Sequence, residues 1–329
     1  MPRCPVRSCV LLVAWLVPAF AFAQEGSWVG KTVFTKYHGI GLRDFDKDGK
    51  LQTIACLNDS ITYRVLEEKG SEVRVVTSLG KVGWADKADF MPADKAVDHF
   101  TAELKKTPEE AGLYQKRAYA YELQGKFNEA LRDMNDTIHH AYNDPFSWNQ
   151  RAGFYLANGY VKMLAIDDLN EAIQRRPGSG LLLANRGYVY AMRKDYDNAL
   201  RDLEDACLYE PHRPASWNNR GLVLFLKGDF NRALADFAVA ENMNPHNAHV
   251  LLNRARMLAT CKEAKYRDGK KAVELAKQAL LMEPNPSREF FDALAAAYAE
   301  TGNFAEALRL QNEVLRDPPR LVPRQEKVS

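Results

Sequence analysis

Asp44, Asp46 and Asp48 alternate and are followed by Gly49. Carboxylates at that spacing can converge on a hard cation, and the glycine suits the sharp turn such a loop makes. The twelfth position, which should supply a bidentate carboxylate, is Ala55, and no helical pattern flanks the stretch. The expectation is a polar hairpin turn between Gly41 and Leu51, with a calcium-dependent component as the rival reading and no metal site assigned. The seven histidines carry no chemistry of their own. His139 and His140 are consecutive and would point to different faces of a helix. His212 and His246 follow prolines that end helices, and His246 with His249 lacks a third ligand nearby. No nucleophile elbow, phosphate loop or H-E-x-x-H motif is present. The expectation is a non-catalytic protein without a cofactor.

One polar pattern recurs. Arg117, Arg151, Arg186, Arg220 and Arg254 are followed by Asp133, Asp168, Asp202 and Asp236, 16 residues on in three cases and 17 in the second. The fifth slot holds Leu275. A guanidinium can bond a carboxylate through two parallel hydrogen bonds, so the spacing predicts a structural ladder across pairs of helices.

The elements that position this ladder repeat as well. Asn185-Arg186-Gly187, Tyr196, Ala199, Ala206 and Pro211 recur 34 residues later as Asn219-Arg220-Gly221, Phe230, Ala233, Ala240 and Pro245. Glycine and alanine let two antiparallel helices approach, Gly228 turns the chain, and the prolines stop the second helix. This pattern resembles the tetratricopeptide repeat, a helix-turn-helix unit that buries its apolar face by stacking on copies of itself. The resemblance covers residues 111–317 as about six repeats, beginning at 111, 145, 180, 214, 248 and 288. Five extra residues in the fifth form a charged loop, mostly Glu263 to Lys271, of a kind that can carry function. It implies a mainly α fold, a right-handed superhelix. Residues 93–110, with Ala96, Phe100 and Leu104 at helical spacing, read as a capping helix and linker.

Residues 1–23 read as an export signal: Arg3 and Arg7, an apolar core from Val10 to Phe20, and Ala21-Phe22-Ala23 as the cleavage site ahead of Gln24. The core is too short to span a bilayer. The net charge is +2, and both surplus charges lie in this segment. The remainder is neutral and offers no case for nucleic acid. The expectation is an exported protein, periplasmic or extracellular and not membrane-spanning. Cleavage leaves Cys56, Cys207 and Cys261, an odd set without a disulfide framework. Residues 24–92 are rich in strand-length apolar runs. Lys31–Tyr37, Ile61–Glu67 and Glu72–Thr77 read as strands, the last two joined by a hairpin. With the terminal Gly83-Trp84 strand they resemble a small all-β Src-homology-3-like barrel. Residues 318–329 are expected to be a disordered tail.

The repeat resemblance also implies a function. Such arrays present first helices on a concave surface that holds a peptide. Mapped onto this chain, the lining includes Gln115, Tyr119, Glu122, Phe146, Asn149, Leu156, Leu181, Tyr188, Met192, Asn218, Leu222 and Phe225. Rings would pack a ligand's side chains and asparagine amides would bond its backbone. Gln115, Tyr119, Ala184 and Tyr188 stand where a clamp for an acidic chain terminus needs basic residues, so no such clamp is expected. The reading is an exported scaffold for a protein or peptide partner. The alternatives are cell-wall contact through the barrel and the calcium-dependent component.

Overall fold

The computed structural model describes residues 27–36, 40–45, 51–57, 62–76, 82–283 and 286–316. The export signal, Asp46, Asp48 and the tail from 318 lie outside them. The chain divides into two compact units, Met1–Glu103 and Leu104–Ser329.

In the first unit, alternating side chains make strands with one buried face. In β5 (Glu72–Val76), Val73 and Val75 are buried while Glu72 and Arg74 are not. The other strands are β1 (Thr32–Thr35), β2 (Ile40–Phe45), β3 (Leu51–Leu57), β4 (Thr62–Lys69), β6 (Val82–Asp86) and β7 (Phe90–Pro92). They form one antiparallel sheet in the order β3-β2-β6-β5-β4-β1-β7. Lys69 faces Glu72 across a two-residue turn in which Gly70 has φ +62°, a conformation that favours glycine in tight hairpins. Val33, Leu42, Tyr63, Val65, Val75 and Phe90 make the core, with Tyr63 edge-on to Phe90. Helix α1 (Ala93–Leu104) follows, and its Phe100 lies edge-on to Phe34, 5.6 Å between centroids.

Two expectations for this unit are corrected. The sheet is not a closed barrel: among the described residues β3 and β7 are its edges and do not pair. The Gly83-Trp84 strand does not close it either, because β6 is interior, paired with β5 on one side and β2 on the other. The β2–β3 hairpin, with Phe45 opposite Leu51, extends the sheet outward from β6 instead of curling back to β7. Asp44 therefore sits near the end of a strand, facing Gln52.

Among the described residues, the second unit holds six antiparallel helix pairs. They are α2 (Ala111–Leu123) with α3 (Phe127–His140), α4 (Pro145–Ala157) with α5 (Lys162–Arg175), and α6 (Gly180–Met192) with α7 (Tyr196–Tyr209). Then come α8 (Pro214–Lys227) with α9 (Phe230–Met243), α10 (Ala248–Thr260) with α11 (Gly269–Met282), and α12 (Arg288–Glu300) with α13 (Phe304–Arg316). Asp144, Asp195, Asp229, Asn247 and Asp268 cap helix starts by accepting backbone N–H bonds. The turn inside every pair but the fifth uses a left-handed residue. Gly125, Gly159, Gly228 and Gly302 supply it, and in the third pair Lys194 does so at φ 63°. Close approach explains Gly180, Gly187, Gly221 and Gly269. A Cβ on Gly187 would come within 2.8 Å of Leu203 and 3.1 Å of the Ala199 carbonyl.

The extra residues of the fifth pair are tied down. Tyr266 packs tilted against Phe230, 5.5 Å between ring centroids, and donates its hydroxyl to Asn231, and Arg267 bonds Glu300. Among the described residues, no helix is long and apolar enough to cross a membrane.

Candidate functional site

The recurring arginines and aspartates meet inside each of the first four helix pairs. Arg117 donates Nε and Nη2 to Asp133, both at 2.7 Å. Arg151 does the same to Asp168 at 2.8 and 2.6 Å, Arg186 to Asp202 at 2.7 and 2.8 Å, and Arg220 to Asp236 at 2.7 and 2.8 Å. The aspartates are buried on the second helices and the arginines enter from the first. Arg151 and Arg186 also reach back to Asn135 and Asn170 of the preceding pair, at 2.7 and 2.8 Å. These bonds fix helix pairing and repeat stacking and leave no proton to move. Where the aspartate is missing, Arg254 pairs with Glu241 of α9 instead.

A second ladder runs along the first helices. Asn185 Nδ2 donates to Asn149 Oδ1 at 2.7 Å, and Asn253 Nδ2 to Asn218 Oδ1 at 3.1 Å. Gln115 Nε2 donates to Gln150 Oε1 between the same two positions in the opposite direction. Each bond joins the fifth residue of one repeat to the sixth of the next, because those two positions face each other when first helices stack. At the third junction Ala184 takes the amide's place, and Asn219 receives only a 3.5 Å contact from Asn218. The signal was present in the sequence, as amides at two adjacent positions with the repeat's period. The side-chain carbonyls of Asn149 and Asn218 thus each accept a bond from the neighbouring first helix.

These ladders hold open a groove made of two adjoining cavities. The first, of about 400 Å³, is lined by Tyr119 and Glu122 of α2, Asn149, Gly153, Phe154 and Leu156 of α4, and Asn185 and Tyr188 of α6. The second, of about 460 Å³, is lined by Asn185, Tyr188 and Met192 of α6, Asn218 and Leu222 of α8, His249 and Arg256 of α10, and Glu289 of α12. Asn185 and Tyr188 line both, so the two cavities adjoin, and together their linings draw on the first helix of every repeat. Eight of the twelve expected residues line the groove: Tyr119, Glu122, Asn149, Leu156, Tyr188, Met192, Asn218 and Leu222. Gln115, Phe146, Leu181 and Phe225 line neither cavity. Phe225 packs on Phe230 at 6.0 Å, in the turn of its own pair, and Phe146 lies under the Arg176 guanidinium at 5.6 Å.

The groove's charges sit at its two ends. Arg256 and Glu289 approach to 3.5 Å in the second cavity. Burial, then Glu289, pushes the Tyr188 hydroxyl above the usual tyrosine range, with Arg256 opposing. In the first cavity Glu122 accepts one bond, from Asn158 Nδ2 at 2.9 Å. Burial pushes its carboxyl above the usual range and the Asn158 bond only partly offsets this. Tyr119 beside it is pushed up by burial and by Glu122. Cys207, raised to about 11 by burial, is an inert buried thiol.

Residues 195–248, from α7 through α9, match the tetratricopeptide repeat family model. No curated protein matches the chain. Among solved structures, the Cut9-Hcn1 hetero-tetramer of APC/C is similar with a TM-score of 0.58 and 18% identity, over 70% of this chain and 44% of that chain. A tetratricopeptide repeat protein from Parabacteroides merdae is similar with a TM-score of 0.57 and 15% identity, over 73% of this chain and 89% of that one. PilW, a type IV pilus biogenesis factor, is similar with a TM-score of 0.50 and 16% identity, over 64% and 94%. At these identities the likeness is one of fold: a solenoid of tetratricopeptide-type helix pairs.

Proposed function

We propose that the chain is an exported, non-catalytic scaffold that holds a segment of a protein partner in the groove of its helical array. One observation carries this reading. Tyr188 and Met192 are large, apolar and 41% and 39% exposed, in the wall of a groove built from two adjoining cavities. Large half-exposed rings in a concave surface are binding anchors more readily than core. Export rests on the basic start, the short apolar core and the A-x-A site. The test is the Tyr188→Ala/Met192→Ala variant as bait in native envelope extract. Wild type is expected to retain a partner that the variant loses, with the variant's melting temperature near the wild-type value. Equal retention by both would refute the groove reading.

A further inference from the structure

The first cavity holds one charged side chain in an otherwise neutral lining. Glu122 projects from the end of α2 into a space bounded by Tyr119, Phe154, Leu156 and Tyr188. Its Oε1 is fixed by Asn158, which caps α4, is itself buried, and also donates to the Phe154 carbonyl at 3.0 Å. Both bonds of that amide are to acceptors, so Glu122 is oriented by a neutral group that does not balance its charge. Among the described residues, no lysine or arginine pairs with it.

This contrasts with the rest of the array. The aspartates buried between helices each carry a bidentate arginine, and Arg254 recruits Glu241 where its aspartate is missing. A half-buried carboxylate without a counter-charge is destabilising, because burial disfavours the ionised form. A cation entering the cavity would supply the missing charge, and the aromatic faces beside it would hold the cation's stem and head.

We propose that this cavity is the subsite for a lysine or arginine side chain of the bound segment, with Glu122 as its counter-charge and Tyr119, Phe154 and Tyr188 as its walls. The proposal rests on the groove reading above and names one element of the partner's sequence: a basic residue flanked by apolar ones that run toward Tyr188 and Met192. A volume of about 400 Å³ admits an extended basic side chain together with part of its backbone. The Arg256–Glu289 pair at the far end is already self-compensated and sets no such demand.

The test uses the full chain and resin-bound random octapeptides in sublibraries with one central residue held as lysine, arginine, norleucine or glutamate. Wild type is expected to prefer the lysine and arginine sublibraries over the norleucine one by on the order of tenfold or more, the strength of a charged hydrogen bond in a desolvated site. Glu122→Gln keeps the acceptor for Asn158 and is expected to erase that preference while still retaining the norleucine sublibrary. It should melt no lower than wild type at neutral pH, since an uncompensated charge has been removed. If wild type retains peptides without preferring a basic residue, or if the preference survives Glu122→Gln, the subsite is refuted and the groove stands. If Glu122→Gln melts well below wild type, Glu122 serves the fold and the subsite is likewise refuted. If wild type retains no sublibrary at all, the groove reading itself fails.

Discussion

Replacing Asp202 by alanine tests the arginine–aspartate ladder most sharply. The Asp202 side chain is 7% exposed and that of Arg186 21%, and they share two bonds of 2.7 and 2.8 Å. Asp202→Ala removes both and leaves the guanidinium enclosed, with only the 2.8 Å bond to Asn170. Breaking a buried pair from one side costs about 3–5 kcal/mol, and water reaching the partly exposed Arg186 places this case near about 3 kcal/mol. Arg186→Leu/Asp202→Ala strands no charge and is expected within about 1 kcal/mol of wild type, because desolvation cancels most of an intact pair's attraction. The assay is urea unfolding followed by circular dichroism. Hydrogen exchange at α6 and α7 should accompany it, since stacked repeats can open piecewise. The expected order of stability is wild type and double variant together, with the single variant well below. A single variant as stable as the double would refute the reasoning.

Lys194→Gly should stabilise the chain by about 0.5–1 kcal/mol. A left-handed residue with a Cβ is strained by about 1–2 kcal/mol, and glycine's freedom in the unfolded chain returns part of that; denaturant midpoints check it. Glu210 accepts the Gly180 amide at 2.9 Å and the Arg213 guanidinium at 2.7 Å. Burial raises its carboxyl, but the bonds from Arg213 and from the Gly180 and Leu181 amides outweigh this and hold it below the usual range. Its contribution is therefore present above the unfolded-state pKa, near 4.5, and is lost as pH falls through the lower folded value. Glu210→Gln should reduce stability at pH 7 and converge with wild type in acid, as melting curves against pH would show. Mass spectrometry of protein from the native host should find Gln24 as the mature N-terminus, and retention of residues 1–23 would contradict export.

The helix pairs were legible because each is punctuated by residues with one physical job. Gly187 and Gly221 admit a neighbouring helix, Gly228 turns the chain, and Pro211 and Pro245 stop it, all at a fixed period. The first unit was legible only as strands. Alternation marks β4 and β5 and their hairpin, but nothing local in β6 says that it pairs on both sides, so an open sheet could not be told from a closed barrel. In the groove, positional mapping found Tyr119, Tyr188 and Met192. It misplaced Phe225, because an aromatic near a helix end can serve its own turn as well as the shared face. The bonds that Asn149 and Asn218 accept were not foreseen because the partner of each lies a full repeat away.

The central claim, that the groove and not the outer helices receives a partner, can be read directly by photocrosslinking. A photoreactive phenylalanine placed at Tyr188 would sit where the two cavities meet. The same group placed at Leu208, which is 72% exposed on second helix α7, is the control. Irradiated in the native host, the Tyr188 probe should give one dominant protein adduct and the Leu208 probe none of the same mass. An adduct formed equally at both positions, or only at Leu208, would contradict the account.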